Sequence, residues 1–181
     1  MEKKIKKNIK SRLNIWLCGF SFSGKSSAGK ILARLTGKRF IDTDTLVRKK
    51  TGFSPANLIK ENKEKLLRKT EKKILKELSD KKGLIVSLGG GISPKDLPAQ
   101  KYGGICVFLN RSFKEIEKEL LLSDNSRPLL SGKTFKERKN KAKKLYLKRI
   151  KYYLKADLKI NFKNLKPYGL AVKIKKALNE I

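Results

Sequence analysis

The sequence predicts an α/β domain in which a parallel sheet is covered by helices on both faces. Three observations predict it. Short, continuous apolar segments alternate with helix-patterned ones along the chain, and strands without polar alternation are those of a parallel sheet buried on both sides. The first apolar segment runs straight into Gly19-Phe20-Ser21-Phe22-Ser23-Gly24-Lys25-Ser26, a complete G-x-x-x-x-G-K-[ST] motif with helix-forming residues behind it. The 181 residues, 39% of them hydrophobic, have the length of one domain able to bury on the order of 70% of its unfolded surface.

The elements follow in order. Residues 13–18 form the first strand and 25–36 a helix, which Gly37 stops. A short strand at 39–41 leads into Asp42-Thr43-Asp44 and a helix to Lys50, closed by Thr51-Gly52. Ser54-Pro55 is an N-cap and N1 pair for another helix. Over 65–78 the residues Leu66, Leu67, Ile74, Leu75 and Leu78 make one apolar stripe. Residues 83–88 read as a buried strand ending in Gly89-Gly90-Gly91. A strand at 105–109 and a helix at 112–122 come next, then a polar, turn-rich stretch at 123–133 with the character of a mobile loop. A lysine-rich helix spans about 135–155, and strand 158–162 and a helix after Pro167 complete the chain. No repeat or linker divides it, so residues 13–181 are expected to be a single domain behind a basic extension, residues 1–12.

Composition narrows the chemistry. There is no histidine, which removes His-based acid–base catalysis and His-ligated zinc. Two cysteines, Cys18 and Cys106, each inside a predicted strand, read as buried hydrophobes of a reducing cytoplasm and not as a disulfide. No apolar run approaches the roughly 20 residues of a membrane span, and the basic N-terminus lacks the apolar core of a secretory signal. Forty-seven Lys and Arg against sixteen Asp and Glu give a net charge of +31. The lysines are scattered over every predicted helix without interleaved aromatics, so a specific nucleic-acid partner is not expected. The field still speeds the arrival of anions, in a salt-sensitive way.

The G-x-x-x-x-G-K-[ST] motif sits in the strand–loop–helix context its mechanism needs. Four fixed positions arise by chance in roughly one sequence of this size in a hundred. Its glycines let backbone N–H groups of residues 19–27 curl around an anion, with Gly19, Phe20, Ser21, Phe22, Ser23, Gly24 and Ser27 as the cradle. Lys25 can reach outer phosphates and Ser26 can ligate Mg²⁺. The motif therefore implies a nucleoside triphosphate. Asp42 and Asp44 lie past the carboxyl end of the second strand, where open α/β sheets bind ligands. They could hold substrate hydroxyls, touch a metal shell or orient an attacking hydroxyl; either could simply cap the next helix. Arg68 and Glu71 share a helix face, a pattern equally satisfied by a surface ion pair. Three glycines after a buried strand, Gly89, Gly90 and Gly91, point to backbone approaching a ligand closely. Arg127-Pro128-Leu129-Leu130 lies where an arginine can fold over a transferred phosphate as part of a lid.

Together these features resemble the shikimate kinase family. The phosphate loop, Asp42-x-Asp44, Arg68-x-x-Glu71, the glycine triplet, Arg127-Pro128-Leu129-Leu130, and Arg149 with Tyr153 and Ala156-Asp157 occur in the family's order and spacing, from about Asn14 to the C-terminus. The resemblance implies a three-layer P-loop kinase fold, a five-stranded parallel sheet of order 2-3-1-4-5, and transfer of the γ-phosphoryl of ATP to the 3-hydroxyl of shikimate. It implies that Asp44 binds and helps deprotonate the acceptor, that Arg68 and Arg149 grip its carboxylate, and that Gly89, Gly90 and Gly91 lie against its ring. Lys25 and Arg127 would spread over the transferring phosphoryl, Ser26 would ligate Mg²⁺ directly and Asp42 through water, and residues 123–133 would close as a lid. A cytoplasmic monomer acting on ATP and shikimate, with no membrane partner, is expected. The alternatives are a sister kinase of the gluconate type, or a non-catalytic P-loop module that holds nucleic acid.

The chain departs from the family pattern in a few places. Phe22 stands where another glycine is usual, a substitution compatible with a backbone that needs no positive φ there. Ser27 replaces a common Thr, Lys63-Glu64 replaces Gly-Glu, and Ile59 and Leu67 occupy the positions of two phenylalanines. Leu120, Leu121 and Leu122 fill the region of an arginine that stacks on adenine, which predicts weaker nucleotide affinity, with Lys118 the nearest substitute.

Overall fold

The computed structural model describes residues 13–90, 92, 102–123 and 128–180. Its strands are β1 (Ile15–Cys18), β2 (Arg39–Asp42), β3 (Leu84–Ser87), β4 (Ile105–Asn110) and β5 (Leu158–Asn161). Its helices are α1 (Lys25–Thr36), α2 (Thr43–Thr51), α3 (Pro55–Lys60), α4 (Glu64–Ser79), α5 (Phe113–Leu122), α6 (Phe135–Tyr153) and α7 (Pro167–Asn179), with a 3₁₀ turn at Pro128–Leu130. All strand pairs are parallel and the sheet order is β2-β3-β1-β4-β5, as the family resemblance implies.

Alternation along β1 builds both cores. Ile15 and Leu17 face α1 and α7, meeting Leu32, Ala33, Leu170 and Ile174. Trp16 and Cys18 face the opposite layer, where Ile74, Leu75 and Leu78 of α4 and Ile116 of α5 pack. Each buried leucine or isoleucine contributes about 1.5–3 kcal/mol against exposure, so neither face could be left bare. The polar groups that enter these layers are tied down. Buried Asn14 donates to the carbonyls of Leu78 (3.1 Å) and Lys81 (2.7 Å) and accepts from the Leu84 N–H (3.1 Å), joining the end of α4 to the start of β3. Asp157 accepts from the Cys106 N–H at 2.7 Å, a structural contact that registers β5 against β4. Cys18 and Cys106 are free and buried, their sulfurs 3.6 Å apart.

Several element ends lie one or two residues from the sequence expectation, β1 beginning at Ile15 and not at residue 13, and one buried face is shifted. Leu66 is 45% exposed, and the buried stripe of α4 is Leu67, Thr70, Glu71, Ile74, Leu75 and Leu78. The i, i+3, i+4 spacing from Leu67 carries the face toward the sheet, and Leu66 lies one residue, about 100°, off it. Helix α6 ends at Tyr153, two residues before the expected stop.

Topology sets the place of the site. After β1 the chain leaves toward β2, and after β4 toward β5, so a crevice opens beyond the adjoining carboxyl ends of β1 and β4. The loops following β1, β2, β3 and β4 all reach that one edge.

Candidate active site

The phosphate loop joins β1 to α1. Gly24 caps α1 at φ 78°, a left-handed conformation that glycine adopts without a steric penalty. Phe22 also has positive φ, 66°, so the condition under which phenylalanine fits this position without strain is not met. Its ring is half-buried against the core while its carbonyl accepts from Arg111 at 2.6 Å, and these contacts hold a conformation that costs a bulky residue about 1–3 kcal/mol. Lys25 folds over the loop, its ammonium donating to the carbonyls of Gly19 and Phe20, both at 2.9 Å.

Asp42 ends β2 and does two jobs at once. One carboxylate oxygen accepts from the Asp44 N–H at 3.0 Å, capping α2, and the other accepts from the Ser26 hydroxyl at 2.7 Å. Ser87, at the end of β3, lies 3.1 Å from the same hydroxyl. Ser26, Ser87 and Asp42 make an all-oxygen set beside the loop, the donor chemistry of a hard divalent cation. Thr43 donates to the Ser87 carbonyl (3.3 Å) and accepts from the Gly89 N–H (2.7 Å), which stitches the Asp42–Asp44 turn to the glycine segment. A Cβ on Gly89 would collide with the Asp44 carboxylate, so glycine here is what lets Asp44 occupy its position.

Two cavities meet at this edge. One, of about 430 Å³, runs from the phosphate loop past Arg111 and Glu119 to Leu165 and Pro167. The other, of about 390 Å³, is walled by Arg48, Ile59, Leu67, Leu145 and Arg149. Ser21, Asp44 and Gly90 line both, so the two cavities adjoin at these residues. Ile59 and Leu67 are indeed wall residues of the second.

Arg149 reaches this wall from α6, is buried, and donates to the Gly90 carbonyl. Burial pulls its guanidinium below the ordinary arginine value; the Tyr153 hydroxyl opposes that, and the Arg68 charge adds to it. Tyr153, buried in turn, is pushed up to about 12. Arg68, on α4, does not itself line either cavity. It is held by Glu64 at 2.6 Å and by Glu71 at 2.8 Å. Burial lowers the Arg68 value, but these two carboxylates more than offset it and the net direction is up. Glu71 is no surface partner: its side chain is 5% exposed, one of its oxygens is without a hydrogen bond, and burial raises its carboxyl despite Arg68. The buried Glu71 feels both guanidinium groups, and Arg149, which lines the second cavity, is the one placed to meet an anion there.

The two cavities therefore gather Ser21, Phe22, Ser23, Gly24, Lys25, Ser26, Ser27, Asp42, Asp44, Gly89, Gly90 and Arg149 around one edge, while Arg68, Gly19 and Phe20 line neither, the ring of Phe20 being buried in the core. Gly91 and Arg127 lie outside the described residues, as do residues 124–127 of the expected lid and the 1–12 extension. On the nucleotide side Leu120 is buried in the core, Leu121 and Leu122 point to solvent, and Lys118 is not in the cavity wall. Beyond Lys25, Asp42 and Asp44, the charged residues of that cavity wall are Arg111 and Glu119. Sequence reasoning missed Arg111 and Arg48; Arg111 had one available signal, its position two residues past a predicted strand at the binding edge.

A five-stranded parallel sheet with a phosphate loop after its central strand, facing a second cavity lined by arginine and aspartate, defines a P-loop small-molecule kinase. The family model described as Shikimate kinase matches residues 22–179, and the chain belongs to that family. It is 33% identical to a shikimate kinase of Prochlorococcus marinus over 182 aligned positions, covering 97% of this chain and 89% of the relative. A shikimate kinase from Acinetobacter baumannii, solved in complex with shikimate, superposes with a TM-score of 0.84 at 28% identity, covering 96% of this chain and 97% of that one. A gluconokinase from Sinorhizobium meliloti also superposes, with a TM-score of 0.61 at 16% identity and 94% and 93% coverage, a likeness of fold alone. Among the described residues no helix is long and apolar enough to cross a membrane.

Proposed function

We propose that this protein transfers the γ-phosphoryl of MgATP to the 3-hydroxyl of shikimate, acting as a single domain over residues 13–181. The observation that carries the reading is the buried Arg149, coupled to Arg68, in a cavity that shares Asp44 and Gly90 with the phosphate loop. An acceptor with a carboxylate at one end and a ring hydroxyl at the other spans that arrangement. Its carboxylate would meet the Arg149 fork, with Glu71 and Glu64 keeping Arg68 oriented toward the same anion. Ile59 and Leu67 would wall the ring and Gly90 would lie against it.

Asp44 would orient the acceptor hydroxyl and take its proton as the oxygen attacks the γ-phosphorus; the bond from that phosphorus to the β–γ bridging oxygen breaks and ADP leaves. Little covalent work falls to the protein, so positioning and charge dominate. Lys25 would exchange the carbonyls of Gly19 and Phe20 for phosphate oxygens, joined by Arg127 from the lid at 123–133. Ser26 would hold Mg²⁺ directly and Asp42 through water; bound there, the cation neutralises charge on the phosphates. The reading has the protein act as a cytoplasmic monomer without nucleic-acid or membrane partners. The arginines suit the carboxylate of either acceptor, and family membership favours shikimate over gluconate, whose kinase offers a likeness of fold only.

The test is ADP release from MgATP with shikimate, gluconate, a panel of nucleoside monophosphates, or no acceptor. Shikimate-dependent turnover well above the blank is expected. Turnover with gluconate alone, or with no acceptor dependence, would overturn the assignment.

A further inference from the structure

Phe22 is the bulky residue at positive φ inside the phosphate loop, and one side chain from a distant element holds it there. Arg111 follows β4. Its Nη1 donates to the Phe22 carbonyl at 2.6 Å and its Nη2 to Glu119 of α5 at 2.7 Å. Its Nε is buried without a hydrogen bond, and its own carbonyl accepts from Tyr146 of α6 at 3.5 Å. The guanidinium is thus braced by Glu119 and set on one backbone oxygen of the loop, while Tyr146 anchors the backbone of Arg111 itself. A loop that cradles phosphates needs left-handed residues to turn successive N–H groups to one side, and here Phe22 supplies a left-handed turn two residues before Gly24.

We propose that Arg111, braced by Glu119, is a positioning residue for the phosphate loop: by binding the Phe22 carbonyl it holds the left-handed turn that a glycine would adopt unaided. The pairing explains how phenylalanine stands at this position in a working loop. A side chain with strong φ preferences is over-determined by a packed ring on one side and a charge-assisted hydrogen bond on the other. It rests on the kinase reading above only in taking MgATP as the occupant of the loop.

The test is titration calorimetry of MgATP and of magnesium tripolyphosphate, which has the phosphates without the base, against four proteins: wild type, Arg111→Met, Phe22→Gly, and both changes together. Arg111→Met alone is expected to weaken both ligands by a similar factor, about tenfold. On top of Phe22→Gly the same change is expected to cost less than about threefold, because the turn no longer needs holding. Phe22→Asn serves as a second background, since asparagine also enters the left-handed region readily, and keeps the test valid where the glycine variant loosens the fold. Loss confined to MgATP would mean that Arg111 touches the base and would overturn the proposal. Equal losses with and without Phe22→Gly would overturn it too, as a general effect of charge. Wild-type protein that binds neither ligand would refute the kinase reading itself, a result distinct from either.

Discussion

Arg149→Lys isolates the geometry of the acceptor site from its charge. Arg149 is 9% exposed, already spends one N–H on the Gly90 carbonyl, is engaged by the Tyr153 hydroxyl, and lines the second cavity. Lysine keeps a positive charge but offers one point donor in place of a planar pair, so it cannot serve Gly90 and an acceptor carboxylate in the same geometry. One charge-assisted hydrogen bond is lost or bent, worth about 1.5–3 kcal/mol. At 1.4 kcal/mol per tenfold, the acceptor KM should rise roughly 10- to 100-fold. The ATP KM should stay within about threefold, because Arg149 is absent from the wall of the cavity beside the phosphate loop. Coupled ADP release measures both, varying shikimate at saturating MgATP and the reverse, with the thermal midpoint as a folding control. An unchanged acceptor KM, or an ATP KM raised by the same factor, would refute the assignment of Arg149 to the carboxylate.

Arg68→Ala should raise the acceptor KM and also lower the thermal midpoint, because it strands the buried Glu71 carboxylate at a cost of about 2 kcal/mol, or about 4–8 °C for a chain of this size. Adding Glu71→Gln should restore the midpoint but not KM, and recovery of both would make Arg68 merely structural. Glu71 also has a pH signature. Its folded carboxyl is raised, so the folded state binds that proton more tightly, and this group makes the protein less stable as pH climbs from the ordinary glutamate range through the raised value. The stability difference between Glu71→Gln and wild type should therefore grow in the variant's favour across that window, and denaturant melts showing a flat difference would contradict the burial argument. Lys25→Ala should cut kcat about 10²–10³-fold with little change in the midpoint, measured at saturating substrates. Asp42→Asn keeps a good N-cap for α2 but removes the charge beside Ser26, so it should raise the Mg²⁺ needed for half-maximal rate while the midpoint moves by under about 3 °C. A large midpoint loss with normal Mg²⁺ dependence would leave Asp42 as a cap alone.

Much of this site is legible in sequence because its parts are short and local. The phosphate loop needs glycine, lysine and serine at fixed spacing; Asp42 and Asp44 follow a strand directly; Gly89 and Gly90 end another. Strand and helix order could also be read, since apolar runs and glycine stops act within a few residues. Arg149 was different. In its own helix it is one cation among many, and its meaning came only from the family resemblance.

What the sequence determined by itself was the identity of the phosphate-binding chemistry, the alternation of elements, and the candidates for each role. What tertiary structure decided was which of them meet. Packing of α4 and α6 on one face of the sheet brings Arg68 near Arg149, 81 positions apart, and buries Glu71, where the i, i+3 spacing equally allowed a surface pair. The β4 edge delivers Arg111 to the carbonyl of Phe22, 89 positions away, and so permits a backbone conformation that local sequence disfavours. The physical reason is the same in both cases. Local pattern fixes a residue's own backbone preference and face, but a charge's partner and a strained turn's support come from elements that only the folded sheet places side by side.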